Sequence, residues 1–434
     1  MHHRITYSTF GLTFALLLAG CGLFGATPTP TLPPRLTPRV TATEPTSAPV
    51  PTVAPVQPVT AVSSVPPTFT PLPPTLTPPP PTATPTLVSS PIPVVPTSTG
   101  GGLLQKVKAR GRLLCGTNGE LPGFSQKDKP TGTYNGFEAD FCRVIATAIF
   151  GDRSKVEFIP LTAENRFDAV VLGTVDVLIR NTTWTATRDV GMISPTLGKI
   201  RLDFGPTLFH DGQRFMVHQG LKINGTQLDV SGVANLVGKR ICVIDGTTTV
   251  LNLKDQFKAR GLEYTAVIGK DANEAFAFYE AGECDAITSD SSQLISRRES
   301  LNNPASNIIL DEQISREPLG PVFIENDSQW RDVVSWSIFA TIYGEELGVD
   351  STNAAQLINA PNPDIQRLLG SQGSIGTDLG LSNDFALRII QEVGNYEEIY
   401  LRNLGPTTPY KLDRGPNKAW NKGQGGVLSS PPFR

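Results

Sequence analysis

Between residues 26 and 102 the chain carries 23 of its 38 prolines, mostly in Thr-Pro and Pro-Pro steps, and its only charges there are Arg35, Arg39 and Glu44. With φ fixed at so many positions and few large apolar side chains, this stretch cannot build a core. It is expected to be a polyproline-II-biased tether, closed by the flexible Gly100-Gly101-Gly102. Its reach lies between a coil of roughly 50 Å and an extended ~200 Å. Any globular structure must therefore come from Leu103 to Arg434.

The segment before the tether reads as a targeting signal. Arg4 supplies a positive start, and Phe10 to Ala19 is an apolar run too short to span a bilayer. It ends in Leu18-Ala19-Gly20-Cys21, small residues directly before a cysteine. That pattern resembles the lipobox of bacterial lipoproteins, which implies a diacylated Cys21 at the mature N-terminus. Residues 1–20 are then a signal peptide and 21–102 a lipidated cysteine with its tether. Buried acyl chains, at about 0.8 kcal/mol per CH₂, would hold the protein on a membrane without a spanning helix.

A formal charge of −3 gives no reason to expect a nucleic-acid partner. Setting Cys21 aside leaves Cys115, Cys142, Cys242 and Cys284. An even number in an exported chain suggests two disulfides, with three possible connectivities.

Leu103 to Arg434 alternates strand and helix patterns. Leu113-Leu114-Cys115 is a short strand, and Phe137, Phe141, Val144, Ile145, Ala148 and Ile149 form one helical face stopped by Gly151. Strands are predicted over 156–161 and 175–179, with a helix over 164–172 between them. The pattern repeats with strands over 240–244, 264–268 and 285–288 and helices over 247–260 and 273–281. Such alternation argues a parallel α/β sheet in each half. The halves also share a local signature. Gly173-Thr174-Val175-Asp176-Val177-Leu178 leads into Arg180-Asn181-Thr182-Thr183, and Gly282-Glu283-Cys284-Asp285-Ala286-Ile287 leads into Ser289-Asp290-Ser291-Ser292. Polar clusters at the carboxyl ends of parallel strands are where ligands bind, and two facing sheets would bring both clusters into one cleft. From about Gln329 the chain reads as helical, with Trp330, Val333, Val334, Ile338 and Ile342 as a core stripe.

Several stretches, in order, carry a resemblance to a known family. They are Leu121-Pro122-Gly123-Phe124-Ser125, Gly136-Phe137-Glu138-Ala139-Asp140, Arg180-Asn181-Thr182-Thr183-Trp184-Thr185, Gly246-Thr247-Thr248-Thr249, Glu317-Pro318-Leu319-Gly320-Pro321 and Trp420-Asn421-Lys422-Gly423. The chain from Leu103 resembles the polar amino-acid-binding branch of the bacterial solute-binding proteins, nearest the general L-amino-acid-binding subfamily. The resemblance implies an α/β fold of the periplasmic-binding-protein type II kind, two α/β lobes joined by a two-strand hinge. Residues 103–210 would begin lobe 1, 211–317 form lobe 2, and 318–434 return to lobe 1 with a helical extension. The crossings are expected near His210 to Val217 and near Ser315 to Phe323.

The same resemblance implies site residues. Arg188 stands where the family binds the α-carboxylate, a task for which its planar fork is suited. Thr183, Thr185 and nearby amides would complete that anion site, with Thr247 and Thr248 contributing from lobe 2. Asp290 stands where the family binds the α-ammonium. Asn118 and Leu121 occupy first-loop positions at which many relatives carry an acid and an aromatic, which points away from a cationic ligand. Trp184 and Phe124 are the aromatics nearest the expected pocket. No catalytic residue, cofactor or metal is implied.

Function then reads as capture of L-amino acids outside the cytoplasm, by a protein anchored through Cys21, and delivery to the transmembrane permease subunits of an ABC importer. One alternative is an amino-acid sensor acting through a membrane partner. Another is an enzyme resembling the cyclohexadienyl dehydratases, for which His210 and His218, both near the expected hinge, are the only histidines in the folded part. Lobe closure also bears on the cysteines. A bridge across the cleft would clamp the motion, so Cys115–Cys142 within lobe 1 and Cys242–Cys284 within lobe 2 are the expected pairs.

Overall fold

The computed structural model describes residues 102–220, 222–223, 226–227 and 232–434. The leader, Cys21 and the proline-rich stretch lie outside the described residues.

Twelve strands organise the two sheets and their connection. They are β1 (Leu113–Thr117), β2 (Val156–Pro160), β3 (Val177–Leu178), β4 (Leu202–Phe204), β5 (Phe209–Asp211), β6 (Gln213–His218), β7 (Arg240–Ile244), β8 (Thr265–Gly269), β9 (Ala286–Asp290), β10 (Asn307–Ile309), β11 (Glu317–Leu319) and β12 (Val322–Ile324). The first sheet has the order β2-β1-β3-β12-β4, and the second β8-β7-β9-β6-β10. In each, the first three strands run parallel, and the fourth and fifth are joined on by antiparallel ladders. The sheets are thus mixed, which corrects the expectation of purely parallel ones. The antiparallel strands belong to the segments that lead into and out of the crossings, where the helical period is absent.

Strands β5 and β11 pair antiparallel, with Phe209 opposite Leu319 and Asp211 opposite Glu317. They form the two-strand hinge of a periplasmic-binding-protein type II fold. Both sheets are covered on both faces. The large core around Phe137, Phe141, Trp330 and Ile338 packs on one face of the first sheet, and Phe167, Val170 and Leu202 on the other. Phe215, Val243 and Phe257 cover one face of the second sheet, and Met216, Phe276 and Ile287 the other. Helix Phe137–Phe150 is buried almost all round, against Ser328–Leu347 and Phe385–Glu392. This explains why its apolar pattern spills beyond one face.

The repeated signature has a structural cause. Gly173 and Gly282 both take positive φ, 69° and 75°, ending the preceding helical turn. Asp176 then accepts from the Leu114 N–H at 2.7 Å, and Asp285 from the Arg240 N–H at 2.9 Å. Each aspartate fastens the third parallel strand to its central neighbour, and each is paired with an arginine, Arg110 or Arg240.

Disulfides join Cys115 to Cys142 and Cys242 to Cys284, with Cα separations of 6.0 and 5.7 Å. Each ties elements of one sheet's unit, and neither crosses the cleft. The segment after the helices is also pinned. Buried Arg414 pairs with Glu345 at 2.8 Å and Glu397 at 3.1 Å, its guanidinium over the rings of Tyr396 and Tyr400.

Candidate ligand site between the lobes

A cavity lies where the carboxyl ends of the two sheets face each other. Asn118, Ala163, Arg166, Arg180, Asn181, Thr183 and Arg188 line it from the first unit. Ile244, Thr247 to Thr249, Asp271, Ala272, Ser289, Asp290 and Gln293 line it from the second. The lobes touch across it. The Thr183 and Thr248 hydroxyl oxygens are 3.4 Å apart, and Asn273 donates to Glu120 at 2.6 Å. The arrangement is closed.

Arg188 is 7 % exposed. It sits in the helix Ala186–Val190, whose N-cap Thr185 accepts from the Arg188 N–H at 3.3 Å. One terminal nitrogen donates to the Thr183 carbonyl at 2.8 Å, and the guanidinium lies 5.1 Å over the Phe167 ring. Burial pushes it down to about 10, against the opposing pull of the Glu317 and Asp290 carboxylates. Arg166, 2 % exposed, is pushed well down by burial and then by Arg188 and Arg180, and its Nε has no hydrogen-bond partner among the described residues. Arg180 donates to the Leu161 carbonyl at 2.7 Å and is held at about 10 by burial.

Asp290 ends β9 and is 7 % exposed. Its Oδ1 is buried without a hydrogen-bond partner among the described residues. Burial drives its affinity for a proton well up, the Asp211 and Glu317 charges add to that, and Arg166 and Arg188 oppose it. Its side chain does not cap the helix Ser291–Arg298 that follows. Asn181 adds two more buried unpartnered atoms, Oδ1 and Nδ2, at a backbone φ of 34°. Beneath it Glu138 accepts from the Asn181 N–H and is raised to about 8 by burial, against that bond and the Arg180 and Arg166 charges.

The model of the bacterial extracellular solute-binding proteins, family 3, matches residues 113–343. The chain belongs to that family. It is 46 % identical over 333 residues to the General L-amino acid-binding periplasmic protein AapJ of Rhizobium johnstonii, covering 76 % of this chain and 92 % of that protein. To the Glutamate/glutamine/aspartate/asparagine-binding protein BztA of Rhodobacter capsulatus it is 43 % identical over 342 residues, covering 79 % and 96 %. Among solved structures it resembles an ABC transporter periplasmic binding protein from Brucella ovis with glutathione bound. That match has a TM-score of 0.71 and 44 % identity, covering 77 % of this chain and all of that one.

Of the residues that the family resemblance singled out, Arg188, Asp290, Thr183, Thr247, Thr248 and Asn118 line this cavity. Four do not. Leu121 and Phe124 are buried in the first core. Trp184 is 41 % exposed, stacked on Phe204 and donating to Asp189 at 2.9 Å. Next to Thr183 in an extended segment it faces the opposite way. Thr185 serves as the helix cap. The threonine hydroxyls are also committed differently from expectation. Thr183 and Thr248 donate to Glu317, and Thr247 donates to the Ile244 carbonyl at 2.6 Å. Sequence reasoning does not single out Arg166 or Glu317: Arg166 lies inside an apolar helical pattern, and Glu317 carries no local signal of its distant threonine partners.

Proposed function

We propose that this family-3 protein binds free L-amino acids through their head group and passes them to an ABC importer. One observation carries the reading. A buried arginine on the first lobe and a buried aspartate on the second, its Oδ1 without a hydrogen-bond partner among the described residues, line one closed cavity. An α-carboxylate would take Arg188 as a paired fork, and an α-ammonium would satisfy Asp290. A zwitterion supplies both charges, so binding relieves two burial penalties that the protein carries alone. Arg166 and Asn181 remain for the ligand's side chain, and their free donor and acceptor groups suit a carboxylate or carboxamide better than an ammonium. The relatives named for L-amino acids, and for glutamate, glutamine, aspartate and asparagine, support the same chemistry. Glutathione, held by the Brucella ovis protein, presents a free α-ammonium and α-carboxylate on its γ-glutamyl end, so head-group recognition extends to it.

The anchor belongs to the same proposal. Cys21 would be acylated and the proline-rich stretch would hold the two-lobed unit off the membrane, outside the cytoplasm and within reach of permease subunits. Among the described residues no helix is long and apolar enough to cross a membrane.

Calorimetric titration of the full-length chain with the twenty L-amino acids and glutathione tests the reading. One-to-one binding is expected, with glutamate, glutamine, aspartate or asparagine among the ligands. No heat from any of them would refute it.

A further inference from the structure

Glu317 opens β11 on the hinge and is 2 % exposed. It is not part of the cavity wall, yet its carboxylate collects four donors. Oε2 accepts from the Thr183 hydroxyl at 2.6 Å and the Thr248 hydroxyl at 3.0 Å. Oε1 accepts from the Asn252 amide at 2.6 Å and the Ser315 hydroxyl at 2.6 Å. These donors come from different bodies. Thr183 continues the hinge ribbon on the first-lobe side, bridged to Leu319, with the Trp184 N–H donating to the Pro318 carbonyl at 2.8 Å. Thr248 and Asn252 lie one turn apart on the helix Thr248–Ala259 that packs on the second sheet.

We infer that Glu317 is a positioning residue that latches the closed lobes and fixes which way the threonine hydroxyls face the ligand. On whichever side of Glu317 the pivot falls, opening the cleft must break either its Thr183 bond or its pair to Thr248 and Asn252. Those bonds are charge-assisted and buried, the kind that weighs most in a closing equilibrium.

The second consequence follows from counting protons. A hydroxyl has one proton, and Thr183 and Thr248 each give theirs to Glu317. The oxygens that line the cavity therefore present lone pairs. They can accept from an ammonium group and cannot donate to a carboxylate, which is left to Arg188 and main-chain N–H groups. Glu317 so reverses the role that a bare Thr183–Thr248 pair would play. Its charge also offsets part of the burial cost on Arg188.

This inference rests on the proposed amino-acid binding, and its test has one arm that does not. In the full-length chain, Glu317→Gln keeps the shape but turns one oxygen into an NH₂ that accepts nothing. Dyes on unnatural amino acids at exposed Leu172 and Leu251, on opposite lobes, report lobe separation by single-molecule energy transfer. Without ligand, the closed fraction should fall at least threefold in Glu317→Gln and in Thr248→Val. An unchanged closed fraction in both variants overturns the latch, whatever the protein binds. With the tightest of the twenty amino acids bound, Glu317→Gln should release it at least tenfold faster at a nearly unchanged association rate. The double variant should release no faster than the faster single one, because both changes cut the same link. Additive effects overturn the inference. If the unmodified chain takes up no amino acid, the functional proposal fails, while the ligand-free arm still decides the latch.

Discussion

The Asn417 side chain grips the main chain of His210 on both sides: its Oδ1 accepts from the His210 N–H at 2.6 Å and its Nδ2 donates to the His210 carbonyl at 3.1 Å. His210 is the central residue of hinge strand β5, so an amide from the C-terminal segment takes the place of a third strand on that ribbon. The segment is itself fixed to the first core through Arg414 and Glu345. The next residue, Asp211, accepts from the Ser292 N–H at 3.3 Å, at the start of a helix on the second sheet. Adjacent hinge residues are thus tied to opposite lobes.

Asn417→Ala should leave both His210 groups without their partner and cost about 1–3 kcal/mol of stability. Urea denaturation measures it. A midpoint unchanged from the parent chain would show that the grip contributes nothing.

Arg188→Ala should weaken every amino-acid ligand by roughly 2–5 kcal/mol, the usual cost of removing one partner of a buried charge pair. Arg188→Lys should restore little, since one ammonium cannot fork onto two carboxylate oxygens. Calorimetry across several amino acids separates this from a side-chain role. Loss of one ligand with retention of another would assign Arg188 to the side chain instead.

The proposed lipid anchor is tested at Cys21. Cys21→Ser should move the protein from the membrane fraction to the soluble fraction of cells that export it. Continued membrane association of the variant would count against lipidation at this cysteine.

The fold was legible because two signals reinforced each other, the alternation of strand and helix periods and the paired Gly-x-x-Asp signatures at 173–176 and 282–285. Each signature marks a strand whose aspartate ties it to the central strand, and that tie explains why the pattern recurs. The strands β4, β10 and β12 are not legible in the sequence, because three residues carry too little periodicity, and β6 falls in the stretch expected only as a crossing. At the cavity, Thr183, Arg188 and Asp290 come together because all three follow strand ends or helix starts, which local sequence marks. It could not place Glu317 against Thr183 and Thr248, which lie 134 and 69 residues away. Nor could it tell that Trp184 points outward, where a stacking partner as distant as Phe204 decides its direction.

The two disulfides should stabilise without governing capture. Their separations of 27 and 42 residues correspond to about 4 kcal/mol each in the chain-entropy account. A Cys242→Ala/Cys284→Ala double variant should unfold at lower urea yet bind its amino acid within a few-fold of the parent. A large loss of affinity in a variant that is still folded would mean that this bridge shapes the second-lobe wall of the cavity.

Glu138 contributes to the pH dependence of the empty protein. Burial holds it at about 8 in the folded chain, against an ordinary value of 4.5, so the folded state keeps a proton that the unfolded state has lost. Stability from this group must then fall as pH rises through that window and level off above about 8. The full span is on the order of 5 kcal/mol. Glu138→Gln keeps an oxygen to accept from the Asn181 N–H and removes the titration. Its urea midpoint should match the parent's near pH 5 and exceed it increasingly toward pH 8. Parallel profiles for the two proteins would show that Glu138 is already ionised, and that the buried arginines beside the cavity are balanced by it before any ligand arrives.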